Sequence, residues 1–186
     1  LAVLLRDLEA RVYIVVMVGS VLLVAFYLSI MSVYPSFTES LRHAAFSVVS
    51  IATTTGFATV DYAQWPIFAP VLMLFLCSFA TCAGSTGGGI KLVRSLLLQK
   101  QALRELTRIV HPRAVVPVTF GGAVVAPQVL SSVMAFMLIY GFVLTATGML
   151  LLLSGLDPVT AFTAAVACIN NTGPGLGQVG PANNYQ

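Results

Sequence analysis

Thr53-Thr54-Thr55-Gly56-Phe57 and Asn170-Asn171-Thr172-Gly173-Pro174 are two short polar turns, each at the end of a weakly amphipathic segment and each between long apolar runs. Lipid-facing helices have no use for such loops. Irregular backbone at bilayer depth persists only where it is buried in protein or lines a water-filled path, because an unpaired main-chain group in hydrocarbon is costly. Two turns in corresponding positions therefore point to an ion pathway.

The composition around them fits a membrane. With 58% hydrophobic and 8% charged residues and a mean hydropathy of +0.96, the chain lies far from a soluble domain, where about a quarter of residues are charged. Two uncharged runs, 12–33 and 128–153, are long enough to cross the hydrocarbon core, which takes roughly 20 apolar residues as a helix. A third, 67–83, is marginal alone but continues through a glycine cluster toward Ile90. The first run is too long for a signal-peptide core and no small-residue cleavage site follows it, so it reads as a retained span. Cys77, Cys82 and Cys168 sit in apolar surroundings without paired metal spacing; an odd count of this kind predicts buried free thiols and no disulfide framework.

Six of the nine Lys and Arg residues (Lys91, Arg94, Lys100, Arg104, Arg108 and Arg113) crowd into one stretch with Glu105 as its only acid. The positive-inside rule makes residues 91–113 cytoplasmic. Arg6 and Arg11 agree, since one crossing outward and one return put both basic regions on the same side. Juxtamembrane topology accounts for this charge, so a nucleic-acid partner is not inferred.

Setting Gly56 against Gly173 also sets Ala44 against Ala161, Val49 against Val166 and Thr55 against Thr172. Identity is thin, but the plan repeats: a full span, an outer turn (Tyr34-Pro35-Ser36, then residues 154–158), a short helical segment (38–52, then 159–169) and the polar turn. Asp157-Pro158 is a start signal, Asp as N-cap and Pro at the first helical position, and Ser36 with Glu39 offers the first copy a capping box. Helices of about 11 to 15 residues reach only about 16 to 23 Å, short of the roughly 30 Å hydrocarbon core. They should enter from outside, stop midway and hand over to a loop that climbs back. In the first copy the return is 58–65, with Trp65-Pro66 marking the outer interface and the start of the next span. In the second it is 176–186, and with no closing span after it the chain reads as part of a longer protein.

A dehydrated cation needs oxygen ligands to replace its water, and backbone carbonyls supply them as dipoles without a fixed charge that would trap the ion. Thr-Thr-Thr-Gly offers carbonyls on successive residues, hydroxyls that can satisfy neighbouring backbone, and a glycine free to take positive φ; Asn-Asn-Thr-Gly does the same with amides. No carboxylate lies inside either turn, which counts against a divalent ion. Potassium fits better than calcium.

These residues resemble a family. Ser50-Ile51-Ala52-Thr53-Thr54-Thr55-Gly56-Phe57-Ala58-Thr59, followed by Asp61 and Gln64-Trp65-Pro66, is similar to the third pore loop of the Trk/Ktr/HKT potassium transport proteins, and Asn170-Asn171-Thr172-Gly173-Pro174-Gly175-Leu176-Gly177 to the fourth. Ala83-Gly84-Ser85-Thr86-Gly87-Gly88-Gly89-Ile90-Lys91 is similar to the intramembrane loop that interrupts the span after the third pore loop. The three motifs, in order, cover nearly the whole chain and lie closest to the bacterial Trk membrane subunit.

The resemblance implies an all-α integral membrane protein of pore-loop architecture: four repeats of helix, re-entrant pore helix with filter loop, and helix. Residues 1–113 would be the third repeat, 114–127 a cytoplasmic connector and 128–186 an incomplete fourth repeat. Thr53, Thr54, Thr55, Gly56, Asn170, Asn171, Thr172 and Gly173 would form two of the four filter loops, open to the outer side, with K+ held at Thr54, Thr55, Asn171 and Thr172. It further implies a homodimer among the lipids of the bacterial inner membrane, a cytosolic ring of nucleotide-binding, TrkA-like regulatory subunits, and K+ as transported ion rather than any cofactor. Whether flux is channel-like or a symport with protons or sodium stays open.

Four glycines among the six residues from Gly84 to Gly89 cannot support a regular helix, each being about 1 kcal/mol worse than Ala. The span should break there and continue as a cytoplasmic helix over 90–110, stopping at His111-Pro112. A phosphate-binding P-loop needs Gly-Lys-Ser/Thr in direct sequence after a strand; here Ile90 separates Gly89 from Lys91 and Leu92 replaces the hydroxyl. Glycines serving close helix packing are a second reading. With the resemblance, Gly84, Ser85, Thr86, Gly87, Gly88, Gly89 and Lys91 are expected to form a gate under the filter, moved when a partner pulls on the basic helix.

Gly121-Gly122, flanked by β-branched residues between Pro117 and Pro127, predicts a short cytoplasmic hairpin. Arg42 and His43 read as interfacial or hydrogen-bonded, and Glu39 and Asp61 as acids of the outer mouth rather than ligands. Two rival functions are weaker. A membrane transferase lacks a suitably spaced acid and nucleophile around His43 or His111, so an enzyme is not expected, and a non-transporting scaffold leaves two half-spanning loops unexplained.

Overall fold

The computed structural model describes residues 7–183. Arg6 and the last three residues of the second return, 184–186, lie outside the described residues. Among the described residues there are six α-helices: α1 (Leu8–Ile30), α2 (Phe37–Ala52), α3 (Phe68–Phe79), α4 (Leu92–Val110), α5 (Pro127–Leu153) and α6 (Pro158–Ile169). A hairpin of β1 (Thr119–Phe120) and β2 (Ala123–Val124) joins α4 to α5.

α1 and α5 are long and apolar enough to cross a membrane. At 1.5 Å per residue they run about 34 and 40 Å. Both are apolar around their circumference and leave large side chains outward, Val15, Phe26 and Ile30 on α1 and Leu138, Phe142 and Leu150 on α5. That is the pattern of helices solvated by hydrocarbon rather than water.

The short helices begin where their caps dictate. Asp157 Oδ2 accepts from the Thr160 N–H at 3.0 Å with Pro158 at the first helical position, and Ser36 Oγ accepts from the Glu39 N–H at 3.3 Å. α2 has 16 residues and α6 has 12, so they reach about 24 and 18 Å, short of the hydrocarbon thickness.

α1, α2 and α3 meet in one buried cluster that includes Val24, Ala25 and Leu28, then Ala44, Val48 and Ile51, then Met73 and Cys77. Ser40, Ser47 and Ala44 on α2 are fully buried. Such small residues let backbones approach closely, and in lipid this packing, rather than expulsion of water, holds helices together. Trp65 Nε1 donates to the Tyr34 hydroxyl at 3.1 Å and Tyr34 stacks on His43 at 4.7 Å, so the aromatic residues of the two connections pin the ends of α1, α2 and α3.

The third apolar run differs from expectation. Helix was expected to continue from 67 through 83 and break in the glycine cluster, yet α3 ends at Phe79. The returning chain takes one carbonyl at that end and one just beyond it: the Ile90 N–H donates to the Ser78 carbonyl at 2.9 Å and the Leu92 N–H to the Thr81 carbonyl at 2.8 Å. The first of these bonds satisfies a carbonyl that a helix end leaves orphaned. Residues 80–91 thus form a closed loop, and α4 starts at Leu92 rather than at 90.

The hairpin forms as expected, with Thr119 opposite Val124 and Phe120 opposite Ala123. Gly121 and Gly122 have φ of 57° and 86°, the two left-handed residues that a tight two-residue connection needs. It packs into a second cluster: Leu97 of α4, Val118, and Leu130 and Val133 of α5 are buried together. Lys100 Nζ donates to the Thr119 carbonyl at 2.6 Å, and the Arg94 guanidinium lies 4.0 Å over the Phe136 ring.

Candidate functional site

α2 and α6 end in the same way. The Thr54 N–H donates to the Ile51 carbonyl at 3.0 Å and the Thr55 N–H to the Ser50 carbonyl at 2.9 Å; in the second copy Asn171 donates to Cys168 at 3.2 Å and Thr172 to Ala167 at 2.9 Å. This pair of bonds is a Schellman motif, whose C′ residue must be left-handed. That residue is Thr54 in one turn and Asn171 in the other, with φ of 58° and 57°. Asparagine adopts this region readily; a β-branched threonine does so under strain. Two residues later Gly56 and Gly173 also take positive φ, 74° and 97°. The two turns therefore share one backbone course.

They also touch. A Cβ built on Gly56 would lie 2.2 Å from the Thr172 carbonyl oxygen and 3.2 Å from Pro174 Cδ. No side chain fits at Gly56 while the second turn keeps its place. The C-terminal ends of α2 and α6 converge on this spot, each carrying roughly half a negative charge from its aligned peptide dipoles.

Hydroxyls hold the first turn. Thr53 Oγ1 donates to the Val49 carbonyl at 2.7 Å, Thr55 Oγ1 to the Ser50 carbonyl at 3.0 Å, and Ser50 Oγ to the Phe57 carbonyl at 2.7 Å. Among the described residues, the carbonyls of Thr54, Thr55, Gly56, Asn171 and Thr172 accept no hydrogen bond. The Asn170 carbonyl differs, accepting from the Gly88 N–H at 3.0 Å. Asn170 is fully buried, and its side chain meets Tyr140, Ser78 and Val166.

The glycine loop lies against both turns. Cβ atoms built on its glycines would fall 2.7 Å from Thr54 Oγ1 at Gly87, 2.3 Å from the Ile169 carbonyl at Gly88, and 2.3 Å from Asn170 Oδ1 at Gly89. Gly84, Ser85 and Thr86 form its exposed tip. Lys91, itself at φ 69°, folds back so that Nζ donates to the carbonyls of Ser85, at 2.6 Å, and Gly87. Glu9 Oε1, at the start of α1, accepts from the Ala83 N–H at 2.7 Å.

Residues farther out are engaged locally. Asp61 accepts from the Ala63 N–H at 3.2 Å and from Gln64 Nε2 at 2.8 Å, and Arg42 Nη2 lies 3.4 Å from His43 Nε2. Sequence reasoning missed Glu9, Ser78 and Tyr140. The one available signal was the polar tips of Ser78 and Tyr140 inside largely apolar runs, where Thr81, Ser131, Ser132, Thr145 and Thr147 offer the same signal.

A family model described as TrkH, cation transport protein, matches residues 2–184. The chain is 42% identical over 180 residues to the Trk system potassium uptake protein TrkH of Salmonella typhimurium, covering 97% of this chain and 37% of that protein. It is 37% identical over 179 residues to the Trk system potassium uptake protein TrkG of Escherichia coli, covering 94% and 36%. The crystal structure of the potassium transporter TrkH from Vibrio parahaemolyticus superposes with a TM-score of 0.87 at 44% identity, covering 93% of this chain and 37% of that one. The chain thus spans little more than a third of the length of the relatives it matches.

Proposed function

The chain belongs to the TrkH family of cation transport proteins, and from that premise we propose that it supplies two of the filter loops of a potassium-uptake pore. Main-chain oxygens of Thr54, Thr55, Asn171 and Thr172 coordinate K+, with Thr53, Gly56, Asn170 and Gly173 setting their course. The observation that carries this reading is the contact of Gly56 with the Thr172 carbonyl: two turns of one backbone course meet where two helix C-termini converge. Uncharged oxygens of this kind suit a monovalent ion that must leave as easily as it enters. Two turns cannot surround an ion, so the remaining ligands come from the rest of the full-length protein.

In the same reading Gly84, Ser85, Thr86, Gly87, Gly88, Gly89 and Lys91 gate the pore from the side opposite the outer mouth. The basic stretch from Lys91 to Arg113 faces the cytoplasm of a bacterium, where a nucleotide-binding regulatory ring acts on a homodimer. Residues 1–113 and 128–186 are then the third and the incomplete fourth repeat. Growth of a potassium-uptake-deficient bacterium on low potassium, with the full-length protein expressed, tests the proposal. Rescue supports it; failure to rescue with the protein present in the membrane refutes it.

A further inference from the structure

Resting on the filter reading above, we propose that Asn170, Tyr140 and Ser78 are positioning residues that determine selectivity, a buried chain that sets the second filter turn and ties it to the glycine loop. In the register that pairs Gly56 with Gly173, Asn170 stands where the first turn has Thr53. Thr53 bonds only within its own helix and turn, through the Val49 and Ser50 carbonyls and the Thr55 hydroxyl. Asn170 reaches three elements. Its Oδ1 accepts from the Tyr140 hydroxyl of α5 at 3.1 Å, and its Nδ2 donates to Ser78 Oγ of α3 at 3.1 Å and to the Val166 carbonyl of α6 at 2.7 Å.

The amide's orientation follows from chemistry. The Val166 carbonyl can only accept, so Nδ2 must face it. Ser78 Oγ donates to the Leu74 carbonyl at 3.4 Å and is free to accept, which leaves Oδ1 for the phenol. Both amide hydrogens and the oxygen are engaged in a fully buried position. This side chain is therefore a fixed post and not an ion ligand.

Its main chain faces the other way in function. The Asn170 carbonyl accepts from the Gly88 N–H at 3.0 Å, so the docked glycine loop occupies an oxygen of the second turn. Displacing the loop frees that oxygen, and loosening the post shifts the loop's anchor. Selectivity and gating then share one residue.

The test uses the full-length protein in liposomes, with rubidium flux measured against sodium competition, and compares Tyr140→Phe, Ser78→Ala and Asn170→Thr with the wild type. Thr145→Ala, which removes a hydroxyl bonded only within α5, is the control. Tyr140→Phe and Ser78→Ala should keep normal abundance and lose discrimination against sodium by roughly fivefold or more, since each strands a buried polar partner. Tyr140→Phe should also raise basal flux in the wild-type background but not when Gly87-Gly88-Gly89 is shortened, because the bond from Gly88 is then already gone. Unchanged discrimination in both mild variants overturns the proposal, as does a loss of abundance with discrimination intact, the mark of a merely structural role. A wild type that passes potassium no better than sodium overturns the filter reading itself.

Discussion

Replacing Gly56 with alanine probes the contact between the turns most directly. Two penalties add. A left-handed backbone costs a non-glycine residue roughly 1–2 kcal/mol, and Gly56 sits at φ 74°. The new Cβ would stand 2.2 Å from the Thr172 oxygen, where ordinary contact begins at 3.4 Å, so one turn must retreat by roughly 1 Å, an overpacking worth about 1–3 kcal/mol. The sum, about 2–5 kcal/mol, moves the balance between the native and a displaced turn by roughly 30-fold to several thousandfold at 1.4 kcal/mol per decade. Rubidium uptake by cells expressing the full-length protein at matched abundance should fall at least tenfold. Gly19→Ala, on α1 with open space around it, should leave uptake unchanged. Wild-type uptake and sodium exclusion in Gly56→Ala would falsify the claim that the two turns set one another's position.

Thr54→Gly removes a strained left-handed threonine and should raise thermal stability in detergent by about 1 kcal/mol; a fall would show that Thr54 contacts outweigh its strain. Shortening Gly87-Gly88-Gly89 should raise basal ion flux, read as potassium leak from liposomes, and unchanged leak would count against a gate at this loop. The hydroxyl and N–H of Thr160 hold the Asp157 carboxyl below its ordinary range. A lowered folded-state pKa gives stability that is present above the unfolded value and lost as pH falls through the folded one. The stability advantage of wild type over Asp157→Asn should thus be steady near neutrality and shrink below about pH 4; an advantage that grows in acid would contradict the capping role.

What the sequence disclosed was local. Asp157-Pro158 and Ser36 announced where the short helices begin, because a cap depends on residues three apart, and Gly121-Gly122 announced the hairpin for the same reason. The long apolar runs gave the spans through length alone. The early end of α3 was hidden because it depends on Ile90 and Leu92 returning to Ser78 and Thr81, bonds that no local pattern carries. Thr54 was hidden differently: a β-branched residue argues against the left-handed region it occupies, and only the parallel with Asn171 betrays it. The chain of Tyr140, Asn170 and Ser78 ties the end of α6 to α5, 30 residues back, and to α3, 92 residues back, and burial rather than spacing makes it matter.

The cluster of Leu97, Val118, Leu130 and Val133, clasped by the Lys100 bond to Thr119, has a mechanical consequence. α4, the hairpin and the near end of α5 are welded into one yoke with two arms. Along one arm a tug on α4 arrives at Lys91 and the glycine loop by direct chain connection; along the other it arrives through α5 at Tyr140 and the second turn. In the proposed gate, a single stroke would thereby reach the glycine loop and the second turn at once.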